Sequence, residues 1–147
     1  VVFDFDSLPD NILIPNNCET YLHRDPKSIV GHAQRNFALN LITHGHVYSN
    51  DDDTILHKEL WENIKDLDDD FITFFQEKKS GELRLTGDVC VDKIDSHNFI
   101  VKHEIIGDTK FIIDKYNADG HFAVECYNKA NTKNKIEKIL STYNFLR

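Results

Sequence analysis

The sequence predicts an α+β fold, a two-layer sandwich in which an antiparallel sheet of four or more strands carries helices on one face. Three observations lead there. Leu56, Leu60, Ile64, Leu67, Phe71, Phe74 and Phe75 recur at three- and four-residue steps, the period of a helix that buries one side. Residues 82–128 then read as short alternating segments separated by turn formers, the pattern of strands. Ile136, Ile139, Leu140 and Tyr143 form a second stripe, which predicts a closing helix over 132–145.

The elements follow in order. Residues 1–25 mix a short apolar strand at 1–5 with Pro9, Asp10, Pro15, Asn16 and Asn17, and predict an extended arm with a strand or two. Asp25 as a cap and Pro26 at the first helical position predict a short helix through Gln34. Phe37, Leu39 and Leu41 alternate, so 37–43 is read as a strand, although Phe37, Leu41 and His44 also fit a helix. The acidic residues Asp66, Asp68, Asp69 and Asp70 predict a break in the long helical stripe. A second helix would then run to Lys79, with Ser80-Gly81 closing it. Strands are expected at 82–93, 98–106, 109–116 and 121–128, the last two joined as a hairpin by Asn117-Ala118-Asp119-Gly120. At 147 residues the chain is long enough for one core and short for two, so 1–147 is expected to be a single domain: the arm at 1–25 and the α+β core at 26–147.

Composition narrows the function classes. A net charge of −8 repels phosphate, and the short lysine-rich stretch at 129–138 does not reverse that field, so neither nucleic acid nor an anionic membrane is expected as partner. No apolar run approaches the ~20 residues that cross a bilayer. Cys18, Cys90 and Cys126 form no CxxC pair and no even set, which predicts free thiols and a cytoplasmic location. The chain carries no methionine, for which we have no physical account.

His44-Gly45-His46, with His57 or the run Asp51 to Asp53, has the residue types of a divalent-metal site. No third ligand falls at a recognised spacing. The histidines are therefore read as a turn at a strand end, the aspartates as a solvated capping loop, and no metal or other cofactor is expected. The opening Val1-Val2-Phe3-Asp4-Phe5-Asp6 is similar to the first strand of haloacid-dehalogenase-type phosphatases, whose two aspartates serve covalent phosphoryl transfer. It departs from that family at Ser7-Leu8 and lacks the alternating parallel βα pattern.

A wider resemblance runs from Asp66 to Leu140. Tyr116-Asn117-Ala118-Asp119-Gly120-His121-Phe122-Ala123-Val124-Glu125 is similar to the turn and following strand of the prokaryotic S-adenosylmethionine decarboxylase family. The resemblance implies an antiparallel sheet backed by helices, homodimers, and a place in polyamine metabolism. Where the family has its self-cleaving Glu-Ser-His, this chain has Asp108-Thr109-Lys110. The family's processing His falls at Asp114, and its catalytic Cys falls at Lys129. Asp108, Thr109 and Asp114 are thus the candidate pocket positions, with every chemical residue type altered. The resemblance implies a domain that does not process itself, either a regulatory partner of an active relative or a binder of a small amine or nucleoside. Whether it is an enzyme stays open at this point. The second function class is an acidic interaction domain, of inhibitor or immunity type, whose carboxylates meet a partner.

Overall fold

A computed structural model describes residues 2–3, 16–51 and 53–145. In chain order its elements are β1 (Val2–Phe3), β2 (Tyr21–Leu22), α1 (His32–Leu39), β3 (His46–Val47), β4 (Ile55–Leu56), α2 (Leu60–Ile64), β5 (Phe71–Lys78) and β6 (Leu83–Leu85). A 3-10 turn (Ser96–Asn98), β7 (Phe99–Lys102), α3 (His103–Ile106), α4 (Ala118–Lys129) and β8 (Lys133–Tyr143) follow. β1 and β2 pair alone and in parallel, which agrees with the strands expected in the arm. The two aspartates of the phosphatase-like opening lie outside the described residues.

The main sheet has the order β3-β7-β5-β8-β4, with β6 joining β5 at Gln76 and Glu77. It is curled into a half-barrel. The α+β class holds, but the sheet is mixed: β5 and β8, its two longest strands, run parallel, and the other pairs are antiparallel. Helices lie on both faces, not one. Phe71, Phe99 and Val101 pack with Phe122, Ala123 and Cys126 of α4 on one side. Ile72, Phe74, Ile100 and Leu140 pack with Leu60 of α2 on the other.

That double burial explains the largest correction. Residues 71–78 are a strand where the stripe predicted a helix, because a strand covered on both faces is apolar at successive positions and loses its alternation. Phe71, Ile72, Thr73 and Phe74 are all buried. Only Leu60–Ile64 of the stripe is helical, and Leu56 is exposed on β4. The expected closing helix is likewise β8. Its register jumps from Ile136 opposite Phe74 to Ile139 opposite Phe75 and Ser141 opposite Gln76. These irregularities insert extra residues, so an apolar period of two is stretched into steps that imitate a helix.

The converse error lies at 121–128, which is helix α4 and not a strand, so the expected hairpin is absent. Ala118, Phe122, Cys126 and Ala130 are buried four residues apart, while the alternation of Phe122, Val124 and Cys126 is incidental. Asp119 in its first turn and Lys129 in its last suit the helix dipole. The segment 109–116 is turns. Its backbone is satisfied by a side chain: Asn36 of α1 donates to the Phe111 carbonyl and accepts from its N–H, both at 2.8 Å. Of the strands expected at 82–93 and 98–106, only Leu83–Leu85 and Phe99–Lys102 form. The expected helix through Gln34 starts later, at His32, after a turn in which the Lys27 N–H donates to Asp25. It absorbs the first three residues of the strand expected at 37–43.

Gly120 lets α4 approach the loop before the 3-10 turn. A Cβ there would stand 3.0 Å from the Val91 Cα and 3.3 Å from the Asp92 nitrogen, both backbone atoms. Gly120→Ala is therefore expected to lower stability by about 1 to 3 kcal/mol, despite alanine's better helix propensity. Urea denaturation measures this; a stabilised variant would show that α4 is free to shift.

Candidate functional site

The described residues contain a chain of charges that links four parts of the fold. Asp95 caps the 3-10 turn, accepting from the His97 N–H at 2.9 Å, while Asn98 accepts from the Asp95 N–H at 2.9 Å. This reciprocal cap fixes the His97 ring between two carboxylates: Nδ1 against Asp95 and Nε2 3.1 Å from Asp51. Arg35 of α1 holds Asp51 at 2.5 Å, and Arg84 of β6 holds Asp95 at 2.8 Å. Tyr48 donates its hydroxyl to the His97 carbonyl at 2.9 Å.

Burial alone would push the His97 ring down, but Asp51 and Asp95 raise it from 6.5 to about 9. The Asp51 N–H also lies 3.1 Å from Nε2, a contact that suits a neutral ring. A carboxylate at each ring nitrogen outweighs it and holds the ring charged. Asp95, which burial would raise, is held far below the usual carboxylate range by His97 and then Arg84. Asp119, nearby on α4, is raised by burial and by the Asp95 charge. His97 is 3% exposed with a carboxylate oxygen close to each ring nitrogen, so it serves as a buried cation, not as a base.

Sequence reasoning missed this network. The signal was present in Asp95-Ser96-His97-Asn98, an N-cap aspartate followed three residues later by a side chain able to cap in return. Asp51 was read as part of a solvated loop, yet it receives Arg35 and His97, and Asp53 and Thr54 are buried beside it.

The candidate positions Asp108, Thr109 and Asp114 do not converge. Asp108 and Asp114 are exposed, whereas Thr109 is buried. The Thr109 hydroxyl donates to Glu125 at 2.7 Å and accepts from Lys129 at 2.5 Å; Lys129 and Glu125 pair at 2.9 Å. Thr109 thus meets Lys129, two of the positions matched to the decarboxylase motif. Lys129 is raised by the Glu125 contact and stays an ammonium, and burial pushes the neighbouring Cys126 thiol up to about 12. The cluster offers a committed hydroxyl, a protonated lysine and an un-ionised thiol, none of which abstracts a proton at neutral pH.

His44 and His46 line a cleft of about 510 Å³ at the β3 end of the sheet, with Asp68, Asp70, Glu104 and Lys102. The turn entering β3 places them: the His103 N–H donates to the Gly45 carbonyl at 2.8 Å, and His46 Nε2 lies 2.9 Å from the Asp69 carbonyl. Lys102 reaches Asp68 at 2.9 Å and Asp70 at 3.8 Å. Asp70 also accepts from the N–H groups of Asn131 and Thr132, which holds its charge low in pH together with Lys102. Neither His57 nor Asp51 joins the two histidines in this lining, and no group of three ligands suited to a metal ion occurs among the described residues. No described helix is long and apolar enough to cross a membrane.

No protein-family model matches this chain, and no curated protein is significantly similar to it.

Proposed function

We propose that this chain is a non-catalytic binding domain that takes a cationic group, a small amine, in the cleft beside β3. The observation that carries the reading is the charge of that cleft. Asp68, Asp70 and Glu104 face a single lysine, Lys102, whose charge Asp68 already offsets, so the lining keeps an excess of carboxylates. An ammonium entering this open cleft is attracted by each of them, with water screening the exposed Asp68 and Glu104, and the net charge of −8 raises its local concentration. The resemblance to the decarboxylase family adds the expectation of an amine and of a chain that stays uncleaved. The committed Thr109 hydroxyl and the protonated Lys129 support the second part.

The test is calorimetric titration with spermidine at low salt, with the arginine guanidinium as a comparison. Saturable binding is expected, weakened about three- to tenfold by Asp68→Asn or Glu104→Gln and screened by added salt. Absence of heat, or binding that both variants leave unchanged, would overturn the cleft. Intact mass of the same preparation is expected to show one uncleaved chain with no α-keto group trapped by phenylhydrazine; two fragments would refute the non-processing part.

A further inference from the structure

We propose that Arg84, Gln76 and Ser141 form a second binding site, a subsite for a carboxylate group, at the opposite end of β5 from the cleft. Three independent features of the strands place these residues together.

The first is a bulge. β6 pairs Leu85 with Gln76 and Leu83 with Glu77, so Arg84 is the extra residue between two paired positions. A bulge re-aims the inserted side chain, and it recurs beside functional sites for that reason. Arg84 is turned across β5. Its guanidinium carbon stands over the Tyr143 ring on β8, 3.8 Å from the ring centre, a cation–π contact that holds the group there.

The second is how that fork is used. Arg84 Nη1 donates both to the Gln76 carboxamide oxygen and, at 2.8 Å, to Asp95. Both bonds come from one nitrogen. The planar guanidinium has five N–H donors, so the remaining edge is held in place by the ring contact and the tie without being used up by them. The side chain as a whole is 25% exposed.

The third is the state of its neighbours. Because arginine only donates, the Gln76 oxygen must face it, and the Gln76 amide nitrogen with two hydrogens points elsewhere. That nitrogen is buried without a partner, and so is the Ser141 hydroxyl; both residues are 0% exposed. Gln76 and Ser141 are register partners on adjacent parallel strands and share a face of the sheet, on which Tyr143 also lies two residues further on. Two fully buried polar groups left unpaired cost stability unless something meets them.

The guanidinium edge and the Gln76 amide nitrogen only donate, and the Ser141 hydroxyl donates as well as accepts, which favours an acceptor. A planar carboxylate matches the guanidinium edge and leaves a second oxygen for the amide and hydroxyl. The charge favours a monoanion over a phosphate dianion, because Asp95 shares the same arginine. Around it, Arg35, Arg84 and charged His97 stand against Asp51 and Asp95, with Asp119 close by. The site lies about six residues along β5 from Asp70, on the order of 20 Å, so it is distinct from the cleft.

Acetate is the probe, titrated into the whole chain at constant ionic strength balanced with chloride, and followed by NMR of the Gln76 carboxamide and the Arg84 Nε–H. A saturable shift of both signals is expected. Arg84→Lys keeps the charge and loses the fork, and should weaken acetate about tenfold or more. Ser141→Ala should weaken it less, and Asp68→Asn, in the cleft, should leave it unchanged. No saturable shift in the folded wild type means that buried water satisfies Gln76 and Ser141, and overturns the subsite; so does an equal acetate response in Arg84→Lys.

Discussion

Replacing Phe71 by alanine is expected to lower the stability of the domain by about 3 to 5 kcal/mol. The side chain is 0% exposed at the start of β5, where three strands meet. Its ring stacks on Phe99 with centroids 5.4 Å apart and meets Tyr127 of α4 edge-on at 5.5 Å. Truncation removes the transfer energy of the ring, both aromatic pairs, and the surface against which α4 docks. A domain of this size holds only about 5 to 15 kcal/mol in all, so the variant should sit near its unfolding threshold at room temperature. Urea denaturation of Phe71→Ala beside Phe75→Ala measures the effect. Phe75 is half-buried with Lys135 over its ring and should cost far less. Equal losses at the two positions would mean that the difference in burial between the two ends of β5 is misassigned.

The apolar residues that build the fold were visible in the sequence, and the period that arranges them was not. Leu60, Phe71, Phe74 and Leu140 of the two apolar stripes are buried, the other stripe positions are half-buried, and Leu56 is exposed. Their element types were exchanged because the usual signatures belong to elements covered on one side. β5 is covered on both, so its aromatic run fits a helical stripe as well as a strand. β8 carries bulges, and α4 begins with Asn117-Ala118-Asp119-Gly120, whose turn chemistry here opens a helix against a close backbone. A mixed sheet also requires a parallel pair between residues some 60 apart in sequence, as Phe71 and Lys133 are. No local pattern encodes such a pairing. The candidate site was less legible still. Thr109 and Lys129 were singled out by a resemblance and do meet, but the buried charges come from α1, a loop, a turn and β6, elements whose convergence only the fold supplies.

Raising the pH from 6.5 through 9 is expected to remove a stabilisation on the order of a few kcal/mol that His97 provides. In the unfolded chain the imidazole loses its proton near 6.5, whereas in the folded protein Asp51 and Asp95 carry that loss up to about 9 against the opposing effect of burial. A folded value above the unfolded one means that the contribution is complete below pH 6.5, declines between 6.5 and 9, and is absent above. The aspartates act at the other limit. Asp95 and Asp51 are held below their ordinary range, burial notwithstanding, so their contribution is complete above about pH 4 and is lost as the pH falls further. Asp51 is 43% exposed and water screens its side of the pair, so the contact with Asp95, 10% exposed, carries the larger share. His97→Gln removes the charge and keeps a polar side chain. At pH 6 it should be less stable than the wild type by about 3 to 5 kcal/mol, because the buried Asp95 and the half-exposed Asp51 lose their shared cation. The gap should then narrow as the pH rises to 9, where about half of the wild-type rings have lost the proton, and close above it. Guanidinium denaturation of both proteins at pH 5.5, 7.5 and 9 decides the matter, with Tyr48→Phe as a control that spares the ring. If the two stability curves stay parallel across that interval, the titrating cation of the alkaline limb is not His97, and the ring is held neutral by the Asp51 N–H instead.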